Sequence, residues 1–176
     1  MTPSISLPCA RRAAAGITLV ETMVCVFILA VLASLAAPAF RDMLLRQRVG
    51  AARSELTTAL QWARWEAIRR NAAVALERRT DCPELLRSPN DWHCGWNIVS
   101  TTPDDAQVLQ AFQLPRGVRM VHANGGATLQ FSRSGMPAQV AHKFIVSHST
   151  EVTPLTTALC MNRTGRVRTV TGQATC

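Results

Sequence analysis

The sequence predicts an α+β protein in which a long N-terminal helix packs against a C-terminal antiparallel β-sheet domain. Three observations carry the expectation. Residues 22–40 hold no charge at all, about the length a helix needs to cross a bilayer core. Apolar residues then recur at helical spacing to about Asn71. Beyond Asn71 the hydrophobic period shortens to two, between turn-rich pieces.

Residues 1–16 form a short basic leader carrying Arg11 and Arg12 and ending in Gly16. Residues 17–40 are apolar apart from Glu21 and form the expected transmembrane helix. Positive charge ahead of it predicts a cytoplasmic N-terminus and an exported C-terminal domain, hence a single-pass inner-membrane protein. A secretory signal places its apolar run before the cleavage site. Here Gly16 precedes that run, so a cut after Gly16 would leave the apolar helix on the mature chain. Pro38 lacks an N–H and predicts a kink or a locally meltable turn.

Residues 41–72 are expected to be an amphipathic helix. Leu45, Val49, Ala52, Leu56, Leu60, Ala63 and Ala67 draw one stripe on an Arg- and Gln-rich background. Residues 73–176 are expected to be a periplasmic β-rich domain. Strands are predicted at 72–78, 95–101, 107–114, 117–123, 127–133 and 142–149, with two more in 157–162 and 165–170. The sheet would cover the helix stripe.

The net charge is +8, and of the 19 basic residues only Lys143 is not arginine. Arginine suits carboxylate and phosphate partners, so this bias points to anionic surfaces. Cys9 falls in the leader and Cys25 in the apolar helix. The other four cysteines form two close pairs in sequence, Cys82 with Cys94 and Cys160 with Cys176. Two disulfides in an oxidising periplasm fit them, although four cysteines allow three connectivities. A zinc site would recruit His93, His142 or His148, yet no CxxC or HxxxH spacing supports one. No metal and no cofactor is expected.

Glu21 poses the sharpest question. A carboxylate in hydrocarbon costs roughly 2.5–3.5 kcal/mol on insertion scales and calls for a partner. A cut after Gly16 would create one, the α-amino group of Ile17, offered to Glu21 by an adjacent, axially offset copy in a packed helical core. "GITLVE" followed by an apolar helix resembles the leader signal of type IV prepilins and type II secretion pseudopilins. That resemblance implies a prepilin peptidase that cuts after Gly16 and methylates Ile17, and it makes Glu21 the assembly glutamate. The family more often has Phe or Met where Ile17 stands. "ARWEAIRRNAAVAL" (63–76) and "CGW" (94–96) resemble the GspH/FimT branch of minor pilins and pseudopilins. The implied partners are other pilins, through the N-terminal helix, and the inner membrane.

Nothing after Glu151 is acidic, while Arg163, Arg166 and Arg168 lie in the last stretch. On a strand, Arg166 and Arg168 project from one face and Val167 from the other. Gly165 permits a tight turn just before them. A Cys160–Cys176 bridge would tether the segment. The arrangement suits sequence-indifferent contact with DNA phosphates. Gly165-Arg166-Val167-Arg168 is similar to the Gly-Arg-x-Arg tail of FimT-type minor pilins implicated in natural transformation. The bland alternative is an edge strand whose arginines are solvated or face a neighbouring subunit.

Trp62, Trp65, Trp92 and Trp96 are expected in the core or at a subunit interface, with Trp62 and Trp65 under the sheet. Arg64, Arg69 and Arg70 are expected to be solvated or paired with Glu66 and Glu77. No Ser-His-Asp, paired-carboxylate or phosphate-loop constellation is present, so no catalytic residue is assigned. Two functions compete: a tip-located minor pilin that takes up DNA, and a purely structural priming or capping pseudopilin of type II secretion.

Overall fold

The computed structural model describes residues 18–82, 88–101, 106–138, 141–148 and 153–176. The chain divides into two units, Met1–Arg41 and Asp42–Cys176. Helix α1 (Leu19–Arg70) is 52 residues long and extends across that boundary.

In the first unit α1 is exposed on every side from Leu19 to Arg41. Thr18 caps its start: the Glu21 amide donates to Thr18 Oγ1 at 3.2 Å, which relieves one of the unpaired first-turn N–H groups. Pro38, where a kink or a locally meltable turn is expected, lies inside the helix. The helix absorbs the one missing donor and continues.

In the second unit α1 buries Val49, Ala52, Leu56, Ala59, Leu60, Ala63, Glu66 and Ala67. That is the predicted stripe with Ala59 and Glu66 added, while Leu45 is only half-buried. Asn71 ends the helix at a φ of 50°. Its amide donates to Ile68 O and the Ala72 amide donates to Ala67 O, both at 3.2 Å. This is a Schellman stop, with asparagine supplying the left-handed residue.

Eight strands follow: β1 (Val74–Arg78), β2 (Trp96–Ser100), β3 (Val108–Phe112), β4 (Arg119–His122), β5 (Thr128–Phe131), β6 (His142–Ser147), β7 (Thr157–Met161) and β8 (Val167–Thr171). Each lies within a predicted strand to one or two residues. They build two four-stranded sheets rather than one, in the orders β3-β2-β1-β5 and β4-β6-β7-β8. All the pairings are antiparallel.

One core joins the α1 stripe to the inner faces of both sheets: Leu76, Trp96, Ile98 and Leu129 from the first, and Met120, Phe144, Val146 and Leu159 from the second. Strand β7 is buried along its whole length. Gly95 is required where it stands. Its φ is +92°, and a Cβ there would lie 2.1 Å from Phe112 O.

Trp92 and Trp96 are fully buried and Trp62 packs against the core. Trp65 departs from expectation. It is 56% exposed, because its position on α1 turns away from the buried stripe. The Arg69 guanidinium lies 5.5 Å from the centre of its ring.

Candidate functional site

The arginine-bearing tail is a β-hairpin. Strands β7 and β8 pair from Thr157↔Thr171 to Met161↔Val167. The connection is closed by the Asn162 amide donating to Arg166 O at 3.1 Å and the Gly165 amide donating to Asn162 O at 2.9 Å. Asn162 also holds the turn from inside. Its Oδ1 accepts from the Thr164 amide at 3.1 Å, the Thr164 hydroxyl at 2.8 Å and the Arg166 amide at 2.9 Å. Gly165 takes a φ of 77°, the left-handed value that such a turn demands.

The alternation expected of the tail is present. Arg166 and Arg168 are exposed, while Val167 is half-buried and packs against the core. Arg163 is exposed at the turn. Arg166 and Arg168 line an open groove of about 530 Å³ together with Ala141, Cys160, Met161 and Asn162. The two arginines are not equivalent. Arg168 donates from Nη2 to the carbonyl oxygen of Cys176, whereas the side chains of Arg163 and Arg166 have no partner among the described residues.

Both cysteine pairs are closed, as Cys82–Cys94 and Cys160–Cys176. Cys160 sits opposite Arg168 in the β7–β8 register, so the second bridge returns the chain to the strand beside that arginine. Cys25 is a free thiol on the exposed apolar helix. Cys82, His93 and Cys94 come within 4.8 Å of one another, the sulfurs being bonded to each other rather than open to a metal.

Two features escape sequence reasoning. Arg64 was expected to be solvated or ion-paired. Instead its Nη1 donates to Thr164 O at 2.7 Å, so α1 grips the turn. The Asn162–Gly165 spacing is a readable turn signal, but nothing local predicts which helix residue reaches it. The second is a buried imidazole pair. His122 Nε2 lies 2.9 Å from His142 Nδ1, and His122 Nδ1 lies 3.1 Å from Gly126 O. One tautomer satisfies both contacts: His122 donates from Nδ1 to Gly126, and His142 donates from Nδ1 to His122. Burial pushes His122 down to about 4 and lowers His142 as well. The His122 ring stacks on Phe144 at 4.2 Å, and a Cβ at Gly125 would meet it.

Of the arginines set against acids, Arg69 and Arg70 do pair with Glu66, each with a contact of 2.5 Å. Glu66 is only 2% exposed. The Arg69 hydrogen bond outweighs burial and holds its carboxyl at about 2, with Arg70 adding to the effect.

At the other end of the chain, Gly16 and Ile17 lie outside the described residues. Glu21 occupies the first turn of α1, exposed, and its carboxylate has no partner among the described residues.

Residues 52–175 match the family model described as type II transport protein GspH. The chain belongs to the GspH family. Residues 11–37 of this GspH-family chain also match the prokaryotic N-terminal methylation motif, which spans Gly16, Ile17 and Glu21. Among solved structures, it is similar to the type IV minor pilin FimU of Pseudomonas aeruginosa at 19% identity, TM-score 0.57, over 70% of this chain and 93% of that one. It is also similar to the minor pseudopilin EpsH of the Vibrio cholerae type II secretion system at 13% identity, TM-score 0.50, over 70% and 97%. These likenesses establish the pilin fold of a GspH-family domain. No curated protein sequence matches the chain.

Proposed function

We propose that the chain is a minor pilin or pseudopilin subunit of a type IV pilus or type II secretion filament. It is inserted in the inner membrane with its N-terminus in the cytoplasm, cut after Gly16 by a prepilin peptidase and methylated on Ile17. The apolar part of α1 then exchanges lipid for neighbouring pilin helices, which is nearly neutral for apolar surface. Pairing of Glu21 with a neighbour's N-terminal amine supplies specificity. The match to the methylation motif over residues 11–37, ahead of a GspH-family domain, carries this reading.

The tail adds a finer reading, in which the subunit sits near the filament tip and contacts DNA phosphates during natural transformation. Its support is the pair of unpartnered, exposed cations Arg163 and Arg166 on a turn fixed by Asn162, beside the Arg168 groove. The structural alternative, a priming or capping subunit without DNA, also has an observation in its favour. Arg168 is already engaged by Cys176, which weakens the electrostatic footprint.

A gel-shift with the fragment from Arg41 onward separates them. Arg166→Gln with Arg168→Gln is expected to abolish the shift at low salt, and the parent's affinity should fall with salt at a slope of about −0.9 per phosphate contacted. A double variant that shifts DNA like the parent removes the receptor assignment.

A further inference from the structure

Residues 173–176 fold back beside the groove that Arg166 and Arg168 line. Strand β8 is tied to β7 as far as Thr157↔Thr171, and the Gly172 amide donates to Thr156 O at 2.7 Å. Gly172 then takes a φ of 75°, and beyond it the main-chain pairing stops among the described residues. There, 173–176 are linked to the hairpin by the Cys160–Cys176 bridge and by the hydrogen bond from Arg168 Nη2 to Cys176 O. Cys160 stands opposite Arg168 across β7 and β8, so the bridge delivers that carbonyl to that guanidinium.

The donor involved is the one a phosphate needs. A guanidinium grips a phosphate through paired N–H groups, either Nε with Nη2 or Nη1 with Nη2. Nη2 belongs to both forks, so the Cys176 carbonyl competes with a phosphate oxygen in either geometry. The arginine strand keeps its shape without the bridge. Five register pairs hold β8 to β7, Asn162 Oδ1 holds the Thr164 and Arg166 amides, and Arg64 holds Thr164 O. Opening the bridge would therefore untie 173–176 and leave the arginines in place.

We infer that the Cys160–Cys176 bridge is a redox latch on Arg168. Closed, it holds the Cys176 carbonyl against the guanidinium; opened, it releases Arg168 to a phosphate of DNA. This rests on the DNA reading of the tail and supplies that site with a regulator. Cys160 is 8% exposed and Cys176 is the open partner, so a dithiol reductant attacks at Cys176. Its thiolate bonds to Cys176 Sγ, the S–S bond breaks, and Cys160 leaves as a thiolate that takes up a proton. The reductant's second thiol then closes a disulfide within the reductant and expels Cys176, which is protonated in turn. Two electrons pass from the reductant, and both cysteines end as thiols.

The test compares the full chain in detergent, bridged, with its Cys160→Ser, Cys176→Ser form. Phenylglyoxal closes a ring across Nη1 and Nη2, so its rate at Arg168, read by mass spectrometry, reports the latch without DNA. Opening should speed it about tenfold, the worth of one hydrogen bond to a charged group, while exposed Arg163 stays within about twofold. Duplex DNA should bind about tenfold tighter to the open form, and Arg168→Gln should abolish that gain. An unchanged rate at Arg168 overturns the latch. So does weaker DNA binding on opening, which would mean that the bridge orders the ridge, and so does a gain that survives Arg168→Gln. A faster rate with no DNA shift by either form supports the latch and removes the DNA reading. Both readings are repeated on folded parent treated with a dithiol, with the Cys82–Cys94 pair quantified alongside, which covers a double-serine form that fails to fold.

Discussion

Arg64 and Thr164 are a hundred residues apart in sequence and joined by a 2.7 Å hydrogen bond from guanidinium to main-chain carbonyl. The same guanidinium lies over the residue beside Thr164: a Cβ on Gly165, already disfavoured by its φ of +77°, would stand 2.7 Å from Arg64 Nη1. The turn that presents Arg163 and Arg166 is therefore held from two sides, by Asn162 within the hairpin and by Arg64 from the helix.

Arg64→Met keeps an aliphatic stem and removes the donor. It should cost about 1 kcal/mol and speed hydrogen exchange at the Arg166 amide, whose acceptor is Asn162 Oδ1. Unchanged protection there would show that the hairpin holds its turn alone.

Acid should destabilise the second unit in two stages. His122 and His142 have lowered values in the fold, so the unfolded chain takes up their protons first as pH falls below 6.5. Their contribution is complete above 6.5 and is lost below it, toward about 4 for His122. Glu66, held at about 2, adds a second loss that begins near 4.5 as the unfolded chain protonates. Urea midpoints should be flat from pH 8 to 6.5 and fall below that. A flat curve down to pH 5 would contradict a neutral buried pair.

Opening the Cys160–Cys176 bridge with two serines should cost about 3 kcal/mol by loop-closure reasoning over its 16-residue separation. For a domain of this size that is roughly 10 °C of melting temperature. The Arg168 contact to Cys176 should loosen with it. Calorimetry of the oxidised and double-serine forms reads the first effect.

Glu21→Ala should enter the membrane as the parent does and be lost from sheared filaments, because removing the carboxylate deletes the partner for a neighbour's amine. Equal recovery of mutant and parent would remove the pairing argument.

The strands were legible because their signals are local. Alternation such as Trp96-Asn97-Ile98, bounded by turn residues, survives whatever the strand later pairs with. The helix stripe was legible for the same reason, as was the opposition of Val167 to Arg166 and Arg168. What depends on pairing was not legible. The split into two sheets follows from β1 choosing β2 and β5, and β6 choosing β4 and β7, choices made across the whole domain. His122 and His142 meet only because β4 and β6 are neighbours. Trp65 illustrates a different limit: spacing from Trp62 placed both on one helix side, but the stripe is narrow enough to half-bury one and leave the other exposed.

Strand β7, enclosed from end to end, has consequences for the order of events during synthesis. The apolar stripe of α1 emerges early, yet its cover includes residues 157–161, which arrive late. The pairings of β1 with β2 and β5, and the cover of α1 by β7, are long in sequence, so closure is slow relative to helix formation. In the interval a greasy helix face stands uncovered, and the nascent chain is then at its most vulnerable to sticking and to proteases.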